Sequence, residues 1–410
     1  MICIFTDSES NKNTFVSIFI KKCLSFETCL VCYEVYNEVM NKEAKSNQTL
    51  LSKDNSAALH GVAILMMIYH HLFITGNTWY NDKPWSLFDF FDAFALGQAE
   101  TFQLTFAWFC KICVAIFAFT SGYAMYVQFK KKYGEDAGFR SMYSYCLKRL
   151  WSFYKKFLLC FLFFITYDYL AGNQNGFDYS LGNYLLNLLG IRATFNSTWW
   201  YILIYYYMIL ISPIVYSLLN RFKFKHYLII AAAFLISFVV AFASGHLIDY
   251  IKFLSRTVQQ YQIIYLIIFM EGMFCGRYPI LEMVSSKMNR LTSLAALVVV
   301  FVARALLIRA PSDSFFDIIF IAPLIVCFVK LLNLSDKIKT FFRYFGKYSS
   351  YMWYTHAYFY SYLFFDLVFR CDLSLLVYLQ VVLYSLASSI VFTLLENWIS
   401  NRFKTSKENR

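Results

Sequence analysis

The sequence has little charge. Only 15% of its 410 residues are Asp, Glu, Lys or Arg, whereas about one quarter is usual in soluble globular chains. Hydrophobic residues make up 59% of the chain and aromatic residues 21%. This composition excludes an ordinary soluble domain and predicts an all-α, polytopic integral membrane protein embedded in a lipid bilayer.

The sequence also lacks the signatures of metal-binding proteins, of many transporters and of nucleic-acid-binding proteins. Among the eleven cysteines, the pairs Cys29/Cys32 and Cys110/Cys113 have no second ligand pair, so we interpret the cysteines as packing residues and predict no metal site. No internal repeat is visible, and no matched Gly/Pro breaks interrupt corresponding segments of two halves, as they do in many transporters. The net charge of +12 comes from basic residues between hydrophobic segments, which is typical of cytoplasmic loops and not of nucleic-acid binding.

Apolar stretches of about 20 residues predict ten membrane spans. They lie near residues 58–75, 104–127, 151–170, 199–219, 226–245, 259–276, 291–309, 315–334, 348–369 and 374–398. With the N-terminus inside, the inner connections and the C-terminal tail hold 23 Lys and Arg against six on the outside. Cytoplasmic loops carry such an excess, so we expect both termini in the cytoplasm.

The predicted organisation has three parts. Residues 1–56 form a poorly ordered N-terminal tail, residues 57–400 the ten-span domain, and residues 401–410 a basic cytoplasmic tail. Residues 1–39 contain neither a signal peptide nor a clean span, and Met40 opens a short polar lead. Met40 is therefore a candidate for the true start.

The first span, "ALHGVAILMMIYHHLF", holds three of the six histidines. At about 100° and 1.5 Å per residue, the eleven steps from His60 to His71 return within about 20° of the same helix face, about 16 Å along the axis. His70 is rotated by about 100° from its neighbour and faces elsewhere. Ionisable side chains in a membrane are usually functional. The alternative, which the spacing favours less, is that His71 is a core histidine bonded to another helix.

Other polar side chains also lie within or near spans. Lys111, Glu271, Arg304 and His356 must each be paired or line a wet cavity. Glu271 could pair with Lys111 or Arg304, or contact a substrate. At the outer end of the fourth span, Trp199 and Trp200 could anchor the interface or stack on a sugar ring.

Five motifs in order resemble the type-3 membrane acyltransferases, which O-acylate the sugars of surface polysaccharides. The resemblance covers about residues 55 to 400, and the motifs are "HGVAILMMIYHH", "KICVAIFAFTSGYAMY", "KRLWSFYKKF", "STWWYILIYYYMILISPI" and "FGKYSSYMWYTHAYFY". The first motif departs from the family's pattern at His60, where the family has Arg or Lys. The third keeps Arg149 but has Ser152 where the family often has a second arginine.

The resemblance implies transfer of an acyl group, usually acetyl, from acyl-CoA to a carbohydrate hydroxyl. His71 would then be the catalytic base, supported by His70. A neutral imidazole can take a hydroxyl proton near neutral pH. Acetyl-CoA is a substrate in this scheme, and no cofactor is expected to be permanently bound.

The remaining site residues follow from the same resemblance. We expect a basic donor site on the cytoplasmic side, although a cluster of this kind also fits a positive-inside loop. Its candidate residues are His60, Lys148, Arg149 and Lys155. Candidates that contact the acceptor or line a cavity are Ser121, Trp199, Trp200, Glu271 and His356.

Two other functions fit the chain less well. A transporter or flippase would explain ten spans and buried charges without chemistry, and a polysaccharide polymerase would be expected to hold its polar groups in large outer loops. A histidine facing a basic cytoplasmic surface favours acyl transfer. The expected partners are acyl-CoA, a polysaccharide, lipid-linked or free sugar, and the bilayer, with no nucleic acid, and the expected location is the bacterial plasma membrane.

Overall fold

The fold comes from a computed structural model. The residues that it describes are 49–74, 92, 94–95, 101–135, 138–173, 175–246, 249, 263–307, 315–370 and 373–408. Within these ranges the chain is helical and has no β-strand, which confirms the all-α prediction. Nearly all of the predicted N-terminal tail, including Met40, lies outside the described residues.

Fourteen α-helices are numbered here in chain order within the described ranges. They are α1 Lys53–Ile74, α2 Phe102–Cys110, α3 Cys113–Tyr133, α4 Phe139–Leu170, α5 Leu181–Leu188, α6 Tyr201–Arg221, α7 Phe224–Ala243, α8 Ile263–Arg277, α9 Ile280–Ser286, α10 Arg290–Leu307, α11 Asp317–Leu332, α12 Asp336–Ala357, α13 Phe365–Val368 and α14 Ser374–Glu408. A 3₁₀ turn, Ser197–Trp200, precedes α6, and a π turn, Tyr358–Tyr362, follows α12. The segment that was predicted as a separate tail from residue 401 is helical through Glu408.

The chain divides into two compact units. One comprises Leu50–Phe222 and Ser255–Arg410, and it holds every described helix except α7. The other contains α7, its principal described helix. All contacts discussed below lie within the larger unit.

Six helical segments within the described residues are long and apolar enough to cross a membrane. They are α1, α2 with α3, α4, the 3₁₀ turn with α6, α10, and α14 as far as residue 402. A seventh is obtained if α8 and α9, which are bent by 75° at their junction, count as one span. The chain is thus a polytopic integral membrane protein, but the predicted count of ten spans is not confirmed.

Three of the predicted spans are not among these segments, and each differs for a local reason. Helix α11 has only 16 residues, and about 20 are needed to cross the hydrocarbon core. The first half of α12 is charged, and its second half runs into the π turn. The span predicted at 226–245 coincides with α7, several of whose side chains lie outside the described residues.

Helices α1 and α12 cross in backbone contact. A Cβ atom on Gly61 would lie 1.8 Å from the carbonyl oxygen of Phe342, and one on Gly346 would lie 1.8 Å from that of Ala57. Real side chains cannot approach a carbonyl so closely, so only glycine permits this crossing, as in other small-residue contacts between membrane helices.

Helices α3 and α8 cross in the same way. A Cβ atom on Gly122 would lie 1.9 Å from the carbonyl oxygen of Phe269, and one on Gly272 would lie 2.0 Å from that of Phe119. The residue before the first glycine of each crossing, His60 in α1 and Ser121 in α3, lines a common cavity. The two crossings therefore fix the positions of two cavity walls.

A buried ion pair joins α10 to α11. The guanidinium Nε of Arg304 lies 2.7 Å from Oδ1 of Asp317, and both side chains are almost fully buried. Arg304 also donates to the backbone carbonyls of Trp108 and Phe109 at the end of α2. The partner of Arg304 is thus Asp317 and not Glu271.

The other intramembrane charges have different surroundings. The ammonium group of Lys111 lies 5.6 Å from the ring centroid of Trp108, a cation–π distance. The carboxyl Oε2 of Glu271 is buried and has no hydrogen-bond partner among the described residues. The expected ion pairs of Glu271 with Lys111 or Arg304 are therefore not found in the described part of the chain.

Candidate active site

A cavity of about 180 Å³ opens between α1, α3, α4, α6 and α12. Its walls carry aromatic rings together with basic and hydroxyl side chains, a mixture that is typical of small-molecule sites. The lining residues are His60, Met67, His71, Val114, Phe117, Ser121, Arg149, Phe153, Thr198, Trp200, Tyr201, Tyr205, Ser349, Ser350 and Trp353.

Two histidines form a hydrogen-bonded pair at this cavity. Nδ1 of His71 lies 2.8 Å from Nε2 of His356, and Nδ1 of His356 lies 2.7 Å from the carbonyl oxygen of Trp353. The carbonyl can only accept, so Nδ1 of His356 carries the proton that it donates to Trp353. In the neutral pair, Nε2 of His356 then accepts from Nδ1–H of His71.

This tautomer assignment follows from the hydrogen-bond network and has a chemical consequence. The lone pair of His71 resides on Nε2, the atom that a general base would use. His356 is fully buried and lies behind His71 as seen from the cavity, because it is not itself a lining residue. The arrangement is that of a base whose second nitrogen is oriented by another group.

The three histidines of α1 divide as the helical spacing predicts. His60 and His71 both line the cavity. His70 is buried, and its Nδ1 lies 2.9 Å from the carbonyl oxygen of Ala107 in α2. His70 does not line the cavity, but its ring centroid lies 5.2 Å from that of His71, and its supporting role stays a prediction. His356 is the residue that contacts Nδ1 of His71.

Two of the four predicted donor-site residues lie at the cavity. Nε of Arg149 donates to the hydroxyl of Tyr205 at 2.9 Å, and both residues line the cavity. The other residue is His60, whose Nε2 lies 2.9 Å from Oγ1 of Thr120. The Thr120 hydroxyl donates its proton to the carbonyl oxygen of Ile116 at 2.7 Å. Its oxygen therefore accepts the hydrogen bond from Nε2–H of His60.

The other two donor candidates lie elsewhere. Lys148 and Lys155 are exposed on α4 and do not line the cavity. Ser152, which stands where the family often has its second arginine, is also exposed. Lys156 lies with its ammonium group 5.6 Å from the ring centroid of Tyr351. Arg149 is thus the arginine that α4 presents to the cavity.

Of the candidates for acceptor contact, some line the cavity and others do not. Ser121 and Trp200 line the cavity, whereas Trp199 and Glu271 do not. Trp199 is 1% exposed, and its Nε1 donates to the carbonyl oxygen of Tyr354 at 3.1 Å. Trp199 is therefore a core residue that fixes the 3₁₀ turn against α12, and neither interface anchoring nor sugar stacking describes it.

Several lining residues were missed by the sequence argument. Tyr201 and Tyr205 lie four residues apart on α6, so they share one helix face, and both reach the cavity. Trp353, which lines the cavity, is three residues before His356 on the same helix. The spacing of tyrosines within "YILIYYYM" could have indicated a shared face, but the four tyrosines of this segment gave no reason to prefer these two.

An ion pair outside the membrane segments joins the end of α8 to the loop between α3 and α4. Arg277, at the end of α8, lies 2.5 Å from a carboxylate oxygen of Glu135 in the loop between α3 and α4. The guanidinium lowers the pKa of the Glu135 carboxyl.

Within the described ranges, no group of three His, Cys, Asp or Glu side chains is placed to hold a metal ion.

Comparison with protein families identifies the chain. A family model described as an acyltransferase domain, Acyl_transf_3, matches residues 57–394. Searches of curated proteins and of solved structures gave no match. The matched region covers most of the chain and includes the histidine pair and every residue that lines the cavity. The chain therefore belongs to the type-3 family of membrane acyltransferases.

Proposed function

We propose that this enzyme transfers an acetyl group from acetyl-CoA to a hydroxyl of a cell-surface or exported carbohydrate. The observation that carries the proposal is the His71–His356 pair. His71 faces the cavity, and Nε2 of His356 accepts a hydrogen bond from Nδ1–H of His71, with 2.8 Å between the two nitrogens. A sugar hydroxyl is a weak nucleophile at neutral pH, and a positioned imidazole removes its proton as it attacks.

The reaction uses His71 twice. Nε2 of His71 takes the hydroxyl proton while the hydroxyl oxygen forms a bond to the thioester carbonyl carbon. The carbonyl oxygen becomes an oxyanion, and its collapse breaks the carbon–sulfur bond and releases CoA thiolate, which receives the proton from His71. The imidazolium that exists between the two transfers is stabilised by the hydrogen bond from its Nδ1–H to His356.

The donor enters from the side that carries the basic residues. Arg149 presents a guanidinium at the cavity, and a guanidinium is suited to a phosphate of CoA. Lys148 and Lys155 add positive charge on the exposed face of the same helix, α4. Because acetyl-CoA is cytoplasmic, we place this side and both termini in the cytoplasm of a bacterial plasma membrane.

Trp200 and Ser121 line the cavity, and we assign them to the acceptor because an indole ring and a hydroxyl suit the apolar face and the hydroxyl edge of a sugar. The acceptor is a polysaccharide, a lipid-linked sugar or a free sugar, and acetyl-CoA is a substrate, not a resident cofactor. No nucleic acid takes part.

A direct test is the release of CoA by the purified protein. The protein in detergent or nanodiscs is given acetyl-CoA with and without a carbohydrate acceptor, and free thiol is measured. We expect acceptor-dependent release that falls about 10²- to 10⁴-fold in His71→Gln, since an amide can hydrogen-bond but cannot take the proton. The matched control is His226→Gln, because His226 is exposed on α7.

Two results would reject the proposal. A protein that releases no CoA with any acceptor, while it moves a sugar or lipid across a vesicle membrane, would be a transporter or flippase. One that elongates a saccharide without consuming acetyl-CoA would be a polymerase. Full activity in His71→Gln at unchanged expression would leave acyl transfer in place but remove the mechanism given above.

A further inference from the structure

The hydroxyl of Tyr201 has no hydrogen-bond partner in the described part of the chain. Its oxygen is buried and makes no hydrogen bond with any described residue, although Tyr201 lines the cavity. The ring is fixed edge-on against Trp200 and Trp353, with centroid distances of 5.7 and 5.8 Å. A buried donor left without an acceptor costs about 1–3 kcal/mol, so the position of this hydroxyl needs a reason.

No other buried, unpartnered polar atom in the described part of the chain belongs to a lining residue. Other polar groups of the same wall have internal partners. The hydroxyl of Tyr205 accepts from Arg149, and that of Thr198 donates to Asn196 at 2.7 Å. Tyr201 is thus singled out as a donor whose acceptor must come from the contents of the cavity.

The size of the cavity limits which part of a substrate can supply that acceptor. A volume of about 180 Å³ is below the roughly 300–1,000 Å³ of pockets that enclose a whole small-molecule ligand. It can hold the acetyl thioester and the attacking hydroxyl, but not the nucleotide of CoA. The strongest acceptor that forms in such a space is the carbonyl oxygen of the thioester as it becomes negative.

We infer that Tyr201 is a further catalytic residue, whose hydroxyl donates to the thioester carbonyl oxygen and stabilises the oxyanion. When the sugar oxygen bonds to the carbonyl carbon and His71 takes its proton, the π electrons of the carbonyl move to this oxygen. Tyr201 keeps its own proton, since a phenol is protonated at neutral pH. The inference rests on the proposed acyl transfer.

The inference is tested with Tyr201→Phe, which removes one oxygen and no protein hydrogen bond. We expect kcat for CoA release to fall about 10²-fold, the usual effect of losing one oxyanion donor, with the KM of both substrates nearly unchanged. The melting temperature should stay the same or rise, because an unpartnered buried hydroxyl is lost. Tyr207→Phe, on the exposed side of the same helix, is the matched control and should behave as the wild type.

Three outcomes would overturn the inference. Unchanged kcat in Tyr201→Phe would show that the hydroxyl does not contact the reacting carbonyl. A raised KM for the carbohydrate alone would assign it to acceptor binding, and a lower melting temperature with a proportional loss of active protein would make it structural. Wild-type protein that releases no CoA would instead defeat the proposed function, so the two failures are distinguishable.

Discussion

The role of His356 can be tested through a pair of substitutions at that position. In the structure its Nε2 accepts from Nδ1–H of His71 at 2.8 Å, and its own Nδ1–H donates to Trp353 at 2.7 Å. His356→Leu fills the space but removes both hydrogen bonds. The imidazole of His71 can then rotate, or carry its proton on Nε2, where it cannot act as a base.

The expected magnitude follows from the bond that is lost. A buried hydrogen bond that leaves one partner unsatisfied costs about 1–3 kcal/mol. At about 1.36 kcal/mol for each factor of ten in rate, His356→Leu should lower kcat about 5- to 150-fold. This loss is smaller than that for His71→Gln, because the base itself is retained. His356→Gln places an amide oxygen near the original Nε2 and should recover most of the rate.

The assay is steady-state release of CoA at saturating acetyl-CoA, together with the melting temperature of each variant, because His356 is fully buried. The KM values should change little, since His356 does not line the cavity. Wild-type kcat in a stably folded His356→Leu would refute the orienting role. A loss as large as that of His71→Gln, with no recovery in His356→Gln, would indicate that His356 is the base instead.

Three further predictions concern binding and stability. Arg149→Ala should raise the KM for acetyl-CoA about tenfold and that for the acceptor much less, because a phosphate contact contributes mainly uniform binding; equal effects would indicate structural damage. Gly346→Ala should destabilise the protein by about 1–3 kcal/mol or more in thermal unfolding, because its Cβ would lie 1.8 Å from a carbonyl oxygen. Gly182→Ala, with open space around it in helix α5, should leave the stability unchanged or raise it slightly. Arg277 lowers the pKa of Glu135, so their pair stabilises the fold near neutral pH and is lost as the pH falls through that lowered pKa. Glu135→Gln should therefore cost less than about 1 kcal/mol at pH 7 and nothing at strongly acid pH, and a cost independent of pH would exclude the ion pair.

The features of the fold and site that depend on a single helix or on its solvent could be predicted from the sequence. The helical repeat alone places His60 and His71 on one face of α1, and both line the cavity. Composition alone predicts membrane helices. These conclusions need only the geometry of one helix or the solvent around it.

Features that join distant segments could not be read in this way. His71 and His356 are 285 residues apart, and periodicity within either helix does not identify the other. The count of ten spans is not confirmed, and hydropathy alone does not show features such as the 75° bend between α8 and α9. Trp199 and Trp200 are adjacent and alike in sequence, yet one is a core residue and the other lines the cavity, because the 3₁₀ turn points them in different directions.

The ion pair between Arg304 and Asp317 has a consequence for biogenesis. An unpaired arginine or aspartate opposes insertion of a lone helix, by about 2.5–3.5 kcal/mol at the helix centre. Arg304 in the last turn of α10 and Asp317 at the start of α11 lie nearer the helix ends, where the cost is smaller, and they are only 13 positions apart. Helices α10 and α11 therefore gain most by leaving the translocon together as a hairpin, in which each charge neutralises the other. The end of α2, synthesised nearly 200 residues earlier, is already in the bilayer at that time and offers its terminal carbonyls to the arriving guanidinium. The end of α2 thus provides a binding site for the α10–α11 hairpin as the hairpin enters the bilayer.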